Sequence, residues 1–423
     1  MKRLEQIQFG TLLLAVACIA INWRAGFWAT VAFAFVSLLR LKGSNPALEP
    51  QTRRGLWAIV GYWLLLLFSL VYTDDIASGW NLIAIKASIL FFPLAFLLTD
   101  TSYLTSKHLR IIGYTLVAAL LIMFFYCIGV STVKLANGAS LKEVTDFSFD
   151  PRHHAYTALY LTVALVFIYF ELVIYWHSLP RWVRRALLGA VPLLIIYIIL
   201  VNSRSGLLTL YSIELFFVLH YALTRHNWPR AILLAVLLGG FSVGMEVVIP
   251  GHDERLVNTI SDLSSDGILV DTENDSYSDV RLMIYKCGIE TWLESPVFGH
   301  GVGDYQQKLL ERFNANNFSG GVESQLNAHN QYIETLLSTG LIGLAVLLFW
   351  MLWPTIQAWR TSRRDVFWLI AMFTFCFMLG CLFESMLERQ MGVLFIGALM
   401  AVMTLTVAFT SKENKQLKSN RYE

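Results

Sequence analysis

Apolar runs of about 17–24 residues recur along most of this chain. Each is long enough to cross a ~30 Å hydrocarbon core as a helix. Hydrophobic residues make up 56% of the 423 and charged residues 15%, too little charge to cover the surface of a soluble domain. We read about twelve spans, near 8–21, 26–40, 55–73, 80–99, 109–130, 155–176, 186–201, 206–223, 231–249, 331–353, 367–384 and 391–410. The first two are short, and a re-entrant pair is the alternative there. The first run follows Met1, Lys2 and Arg3 like a signal peptide. It lacks a convincing small-x-small cleavage site before a soluble domain and another run follows at once, so it reads as a retained first helix. The expected fold is an all-α polytopic membrane protein of about 12 transmembrane helices.

The net charge of +2 is uninformative, but its distribution is not. With the N-terminus in the cytoplasm and strict alternation, about twenty of the 32 Lys and Arg residues fall in cytoplasmic segments. Short outer loops hold few: 73–79 has none, 202–205 has only Arg204, and 22–25 has only Arg24, a mild exception. Both termini are therefore expected inside. Two outer segments are larger. Residues 132–154 hold Asp146, Asp150, Arg152, His153 and His154. Residues 250–330 are far longer than a connector needs and carry about thirteen acids against five bases. Any anion site there must come from particular arginines. Two helices are expected in this loop, over 280–293 and 304–313, with a turn-rich break from Ser295 and Pro296 to Gly299, Gly301 and Gly303 between them. The division is thus spans 1–9 in 1–249, the loop in 250–330, spans 10–12 in 331–410, and a tail in 411–423.

Five residue groups could carry chemistry. Arg204 follows Asn202 and Ser203 and precedes Ser205 and Gly206, with almost no loop between two runs. An arginine at that depth is costly unless solvated or paired. Either it snorkels at a tight turn, or it binds an anion in a cavity beside the Ser203 and Ser205 hydroxyls. Asp279 is expected to cap a helix whose first turn holds Arg281, and a helix N-terminus with a guanidinium suits phosphate. A salt bridge of Arg281 with Asp279 or Glu290 is the structural alternative. His329 opens the tenth span, where it can take a hydroxyl proton near neutral pH or simply cap the helix. Glu334, Gly340 and Gly343 follow it, the glycines suggesting close helix packing. Glu384, Glu388 and Arg389 share the short turn between the last two spans. They could orient a base or an acceptor, or form an internal Glu–Arg pair. Lys86 lies inside the fourth span, a functional suspect by position or one half of a buried pair.

No metal site is expected. The five cysteines, Cys18, Cys127, Cys287, Cys376 and Cys381, show no ligand spacing. Only Cys287 is in the long loop, so no disulfide is expected there. His153 and His154 are a bare pair, and the acidic run 271–275 lacks the glycine and terminal Glu of a calcium loop.

Taken together, Arg204, Arg281, His329 and Glu384 share one side of the membrane. Their order resembles the bacterial O-antigen ligase and polymerase superfamily of membrane glycosyltransferases. The resemblance rests on Asn202 to Gly206 at an outer turn; on Arg281 followed by Trp292, Leu293, Glu294, Ser295 and Pro296 with Gly299, Gly301 and Gly303; on His329 and Asn330 with Glu334, Gly340 and Gly343; and on Glu384 with Glu388, Arg389 and Gln390. It spans roughly 200–392 by motif. It implies an all-helical GT-C-type enzyme of the bacterial inner membrane that moves a glycan from undecaprenyl diphosphate to a hydroxyl at the periplasmic face, with inversion. Arg204 and Arg281 would hold the diphosphate, His329 would activate the acceptor, and an acid at Glu384, where the family often has Asp, would assist. Arg389, Glu334 and Lys86 are weaker candidates. No cofactor or nucleotide is expected, since the lipid diphosphate is itself the activated donor. The expected partners are that donor, lipid A–core or another glycan acceptor, and membrane lipid, with no nucleic acid.

Ligation to lipid A–core is the preferred activity, because there is one large outer loop, late in the chain. Polymerisation of carrier-linked glycans is the nearest alternative, and glycan transfer to protein a third. A twelve-helix transporter or flippase is more remote: its two halves would be alike, and here they differ.

Overall fold

The computed structural model describes residues 2–46, 48–145, 147, 154–249, 277–361 and 363–419. These are mainly helical, with a single isolated bridge between Leu41 and Thr99 and no strand among the described residues. In chain order the helices are α1 (Lys2–Ile21), α2 (Trp23–Leu38), α3 (Pro50–Ser69), α4 (Ile76–Lys86), α5 (Phe91–Leu98), α6 (Ser106–Ala136), α7 (Leu141–Thr145), α8 (His154–Tyr175), α9 (Arg181–Val201), α10 (Arg204–Arg225), α11 (Trp228–Val248), α12 (Tyr277–Trp292), α13 (Tyr305–Ala315), α14 (Ser319–Glu323), α15 (Gln331–Trp359), α16 (Arg364–Phe383) and α17 (Gln390–Ser419).

Among the described residues eleven helical segments are long and apolar enough to span a membrane, α4 and α5 counting as one through the 3-10 turn that joins them, one fewer than expected. The exception is α2, whose 16 residues reach about 24 Å at 1.5 Å per residue. The chain nevertheless returns through it. Asn22 caps α2 by accepting from the Arg24 and Ala25 amides, so the reversal takes a single residue. Gly26 permits it, because a Cβ there would meet the Ile19 backbone at 2.7 Å. Gln8 Nε2 then donates to Ser37 Oγ at 2.9 Å, and Arg40 pairs with Glu5 at 3.5 Å, so the end of α2 stands level with the start of α1.

Side-chain contacts sort the loops into two ends. At one end Lys42 pairs with Asp100 (3.0 Å), Trp353 donates to Gln51 O (3.0 Å) and Arg225 to Val173 O (2.8 Å). At the other Tyr72 donates to Phe298 O (2.8 Å), Tyr156 to Ser385 O (3.0 Å) and Tyr285 to Leu382 O (2.8 Å). By this alternation the start of α1 and the tail of α17 lie at the first end, and α12 to α14 at the second.

The helices α12 and α13 match the two expected in the loop, with one correction. The first begins at Tyr277, so Asp279 lies inside it and Arg281 is its fifth residue rather than in a turn capped by Asp279. The acidic run 271–275, with Asp146, Asp150, Arg152 and His153, lies outside the described residues.

The turn-rich break clasps two spans. Gly340 interrupts α15 at φ 64°, ψ −159°, a conformation that favours glycine, and a Cβ there would meet Val297 O at 2.3 Å. Around that break His300 N donates to Leu337 O (2.7 Å), Gly301 N to Ser338 O (3.0 Å) and Leu341 N to Pro296 O (2.9 Å). The carbonyls and amide freed by the kink are thus paired within protein, the condition for irregular backbone at membrane depth. On its other side the Asp304 carboxylate accepts from the Asp74 and Asp75 amides at 2.7 and 2.8 Å. Of the two glycines expected to mark helix packing, Gly340 therefore seats a loop on a broken helix, while Gly343 lies against Thr339 of its own helix.

Candidate active site

His329 ends the segment before α15. Its φ of 43° is left-handed, an uncommon state for a non-glycine residue. Two asparagines hold it there. Asn327 Oδ1 accepts from the His329 amide at 3.0 Å, and Asn330 Oδ1 caps α15 from Tyr332 N and Ile333 N. Asn330 Nδ2 also donates to Leu382 O at 3.1 Å, tying this corner to the end of α16. Glu384 is the next residue past that helix, buried and in extended backbone. The result is His329 Nδ1 at 3.5 Å from Glu384 Oε1.

Arg281 joins them from above. Its guanidinium lies 5.8 Å from the centre of the Phe383 ring, adjacent to Glu384. Tyr285, one helical turn on, fixes α12 over the same corner through Leu382 O. Three of the expected residues, His329, Glu384 and Arg281, are therefore brought together by contacts with 382–384.

Arg204 begins α10, half-buried, after Asn202 turns the chain at φ 61°. Ser203 Oγ caps the helix from Gly206 N (3.2 Å) and lies 3.1 Å from Ser205 Oγ. These hydroxyls thus serve the turn itself. Gly206 packs where its Cβ would meet Ala158 at 2.5 Å, and Tyr156, also on α8, reaches Ser385. The first turns of α8 thus join the Arg204 corner to the Glu384 corner.

Behind His329 lies an acidic and basic cluster that separation in sequence conceals. Lys86 closes α4, where the helix tightens into a 3-10 turn over Ala87–Leu90. Its ammonium meets Glu334 Oε1 at 2.9 Å, and both side chains are buried. The other oxygen, Glu334 Oε2, is buried without a hydrogen-bond partner among the described residues. Glu388 accepts from Asn327 Nδ2. Burial first, and then the nearby Glu334 charge, pushes its carboxyl up to about 7. The internal Glu388–Arg389 pair does not form among the described residues; Arg389 is exposed and its carbonyl starts α17 by accepting from Gly392 and Val393. Gln331, fully buried, accepts from Leu387 N at 2.6 Å and so shapes the 384–388 turn. Sequence reasoning passed over Gln331 and Asn327. The signal was their amide character beside His329, at the mouth of an apolar span.

Such a corner can take a proton at His329 and orient the imidazole with a carboxylate, and it can place positive charge nearby. Residues 188–348 match the family model described as O-antigen ligase. No curated protein matches the chain. The matched segment runs from α9 into α15 and includes Arg204, Arg281, His329 and Glu334, while Glu384 lies beyond it. Over that segment, 161 of the 423 residues, the chain is similar to the O-antigen ligase family, and it lies in a bundle with eleven candidate spans among the described residues.

Proposed function

We propose that the protein transfers a glycan from undecaprenyl diphosphate to a hydroxyl acceptor, most simply the sugar of lipid A–core. The observation that carries this reading is His329 Nδ1 set 3.5 Å from the buried Glu384 carboxylate, with Arg281 beside it. At 3.5 Å the two make no hydrogen bond among the described residues; closing to hydrogen-bond distance when substrate binds, the carboxylate would favour the tautomer protonated at Nδ1 and leave Nε2 as the base. The acceptor hydroxyl gives its proton to Nε2, and its oxygen attacks the anomeric carbon. The bond from that carbon to the diphosphate oxygen breaks, and the diphosphate leaves with the electron pair. Attack opposite the leaving group inverts the centre. Arg281 and Arg204 neutralise the departing charge, as guanidinium groups do for phosphate. On this reading the arginines serve in place of a metal.

Sidedness follows from charge. The end opposite His329 carries Arg40, Lys42, Arg53, Lys107 and Arg110, which supports reading that end as cytoplasmic and the site as periplasmic, at the outer face of the inner membrane. Lys86, Glu334 and Gln331 act as positioning residues beneath the base.

Polymerisation is the second reading, since it uses the same donor chemistry. The single large outer segment between α11 and α15 favours ligation. The test supplies the purified protein with carrier-linked glycan and either lipid A–core or a second carrier-linked glycan. A glycosylated core supports ligase activity. A lengthened carrier-linked chain alone overturns it in favour of polymerase, and no product from either overturns glycan transfer.

A further inference from the structure

The cleft of about 1190 Å³, counting its open mouth, lies between α1, α6, α8, α16 and α17, well away from His329. Its walls are apolar, from Val16, Leu116, Phe167, Phe373, Phe395 and Leu399 among others. Its charged residues gather at one end: Arg110 near the start of α6, Glu171 near the end of α8, and Arg363 and Asp365 at the start of α16. Glu384, by contrast, follows the far end of α16. Eighteen residues of helix, about 27 Å, separate Asp365 from Phe383. The mouth and the candidate active site therefore lie about one hydrocarbon thickness apart, and a headgroup held at one cannot be held at the other.

The mouth is built for an anion. Arg110 pairs with Glu171 and stacks 3.9 Å from the centre of the Tyr175 ring, and Arg363 holds Asp365 at 2.5 Å. Lys107, Arg360 and Arg364 are exposed nearby in sequence, outside the lining of the cleft, and give this end a surplus of positive charge over the two paired carboxylates. An apolar cleft, open at one end beside a basic surface, fits a lipid with an anionic head and hydrocarbon tails. We infer that this cleft is a binding site for an anionic glycerophospholipid of the leaflet opposite the active site, its phosphate on Arg110 and Arg363 and an acyl chain between α6, α8 and α16.

Native mass spectrometry of the full-length protein in detergent tests this with three probes: phosphatidylglycerol, phosphatidylcholine and a polyprenyl monophosphate. Removing Arg110 alone would strand Glu171, which is 2% exposed, so the charges are removed in pairs. The expected result is one retained phosphatidylglycerol, with phosphatidylcholine retained about tenfold less, because it keeps the phosphate but adds a choline cation beside the basic residues. Arg363→Gln with Asp365→Asn, and separately Ala398→Leu to fill the cleft, each lower phosphatidylglycerol retention by a similar factor, while His329→Ala leaves it unchanged. Equal retention of the two phospholipids, or undiminished retention by both variants, overturns the assignment. So does displacement of phosphatidylglycerol by equimolar polyprenyl phosphate, which would give the cleft to the donor's tail.

Discussion

Lys86 and Glu334 stand 248 positions apart in the chain and 2.9 Å apart in the bundle, with both side chains buried. Each makes the other tolerable at that depth. Removing one strands a charge, at a cost of about 3–5 kcal/mol, whereas removing both does not. We predict that Lys86→Met and Glu334→Gln each lower the melting temperature in detergent sharply, and that the double variant recovers most of the loss. Additive losses would show that the pair is not coupled.

Glu388 gives the fold a pH dependence. Its carboxyl is raised from 4.5 to about 7, so between those values the folded protein holds a proton that the unfolded chain has released. Its contribution is complete below about 4.5 and lost as the pH rises through 7. Thermal unfolding of the wild type and of Glu388→Gln between pH 4.5 and 8 should show the wild type losing stability with rising pH and the variant losing less. Parallel curves would mean that the group does not titrate in this window.

Gly340 carries the clasp between α15 and the 295–303 loop. Its φ of 64° costs another residue about 1–3 kcal/mol, and the contact with Val297 O leaves no room for a methyl. Gly340→Ala should speed hydrogen exchange at 296–303 and lower glycan transfer without changing α1 or α2. Unchanged exchange at 296–303 would contradict the clasp.

If the arginines neutralise the leaving diphosphate, transfer by purified protein should survive excess EDTA. Loss of activity that a divalent ion restores would assign that charge to a metal instead.

Run length made the spans legible, because hydrocarbon thickness sets a minimum that eleven of the twelve expected spans meet among the described residues. It could not decide α2, whose 16 residues return the chain through Gln8–Ser37 and Arg40–Glu5 contacts that no periodicity encodes. His329, Glu384 and Arg281 were legible as polar groups at span ends. Their convergence depends on Leu382 O, a backbone atom shared by Tyr285 and Asn330, and backbone carries no residue signature. Lys86 was visible as a misplaced charge, but its partner required the tertiary fold. The role of Gly340 was misread because a glycine that kinks a helix and one that packs it look alike in sequence.

The most direct test is transfer from carrier-linked glycan by His329→Ala, with the wild type and Arg281→Ala alongside, after each is shown to fold in detergent. Loss of a positioned base costs about 10²–10⁴ in rate, so we predict at least a hundredfold fall for His329→Ala, with Arg281→Ala also strongly impaired. Transfer by folded His329→Ala at the wild-type rate would contradict a base at this corner.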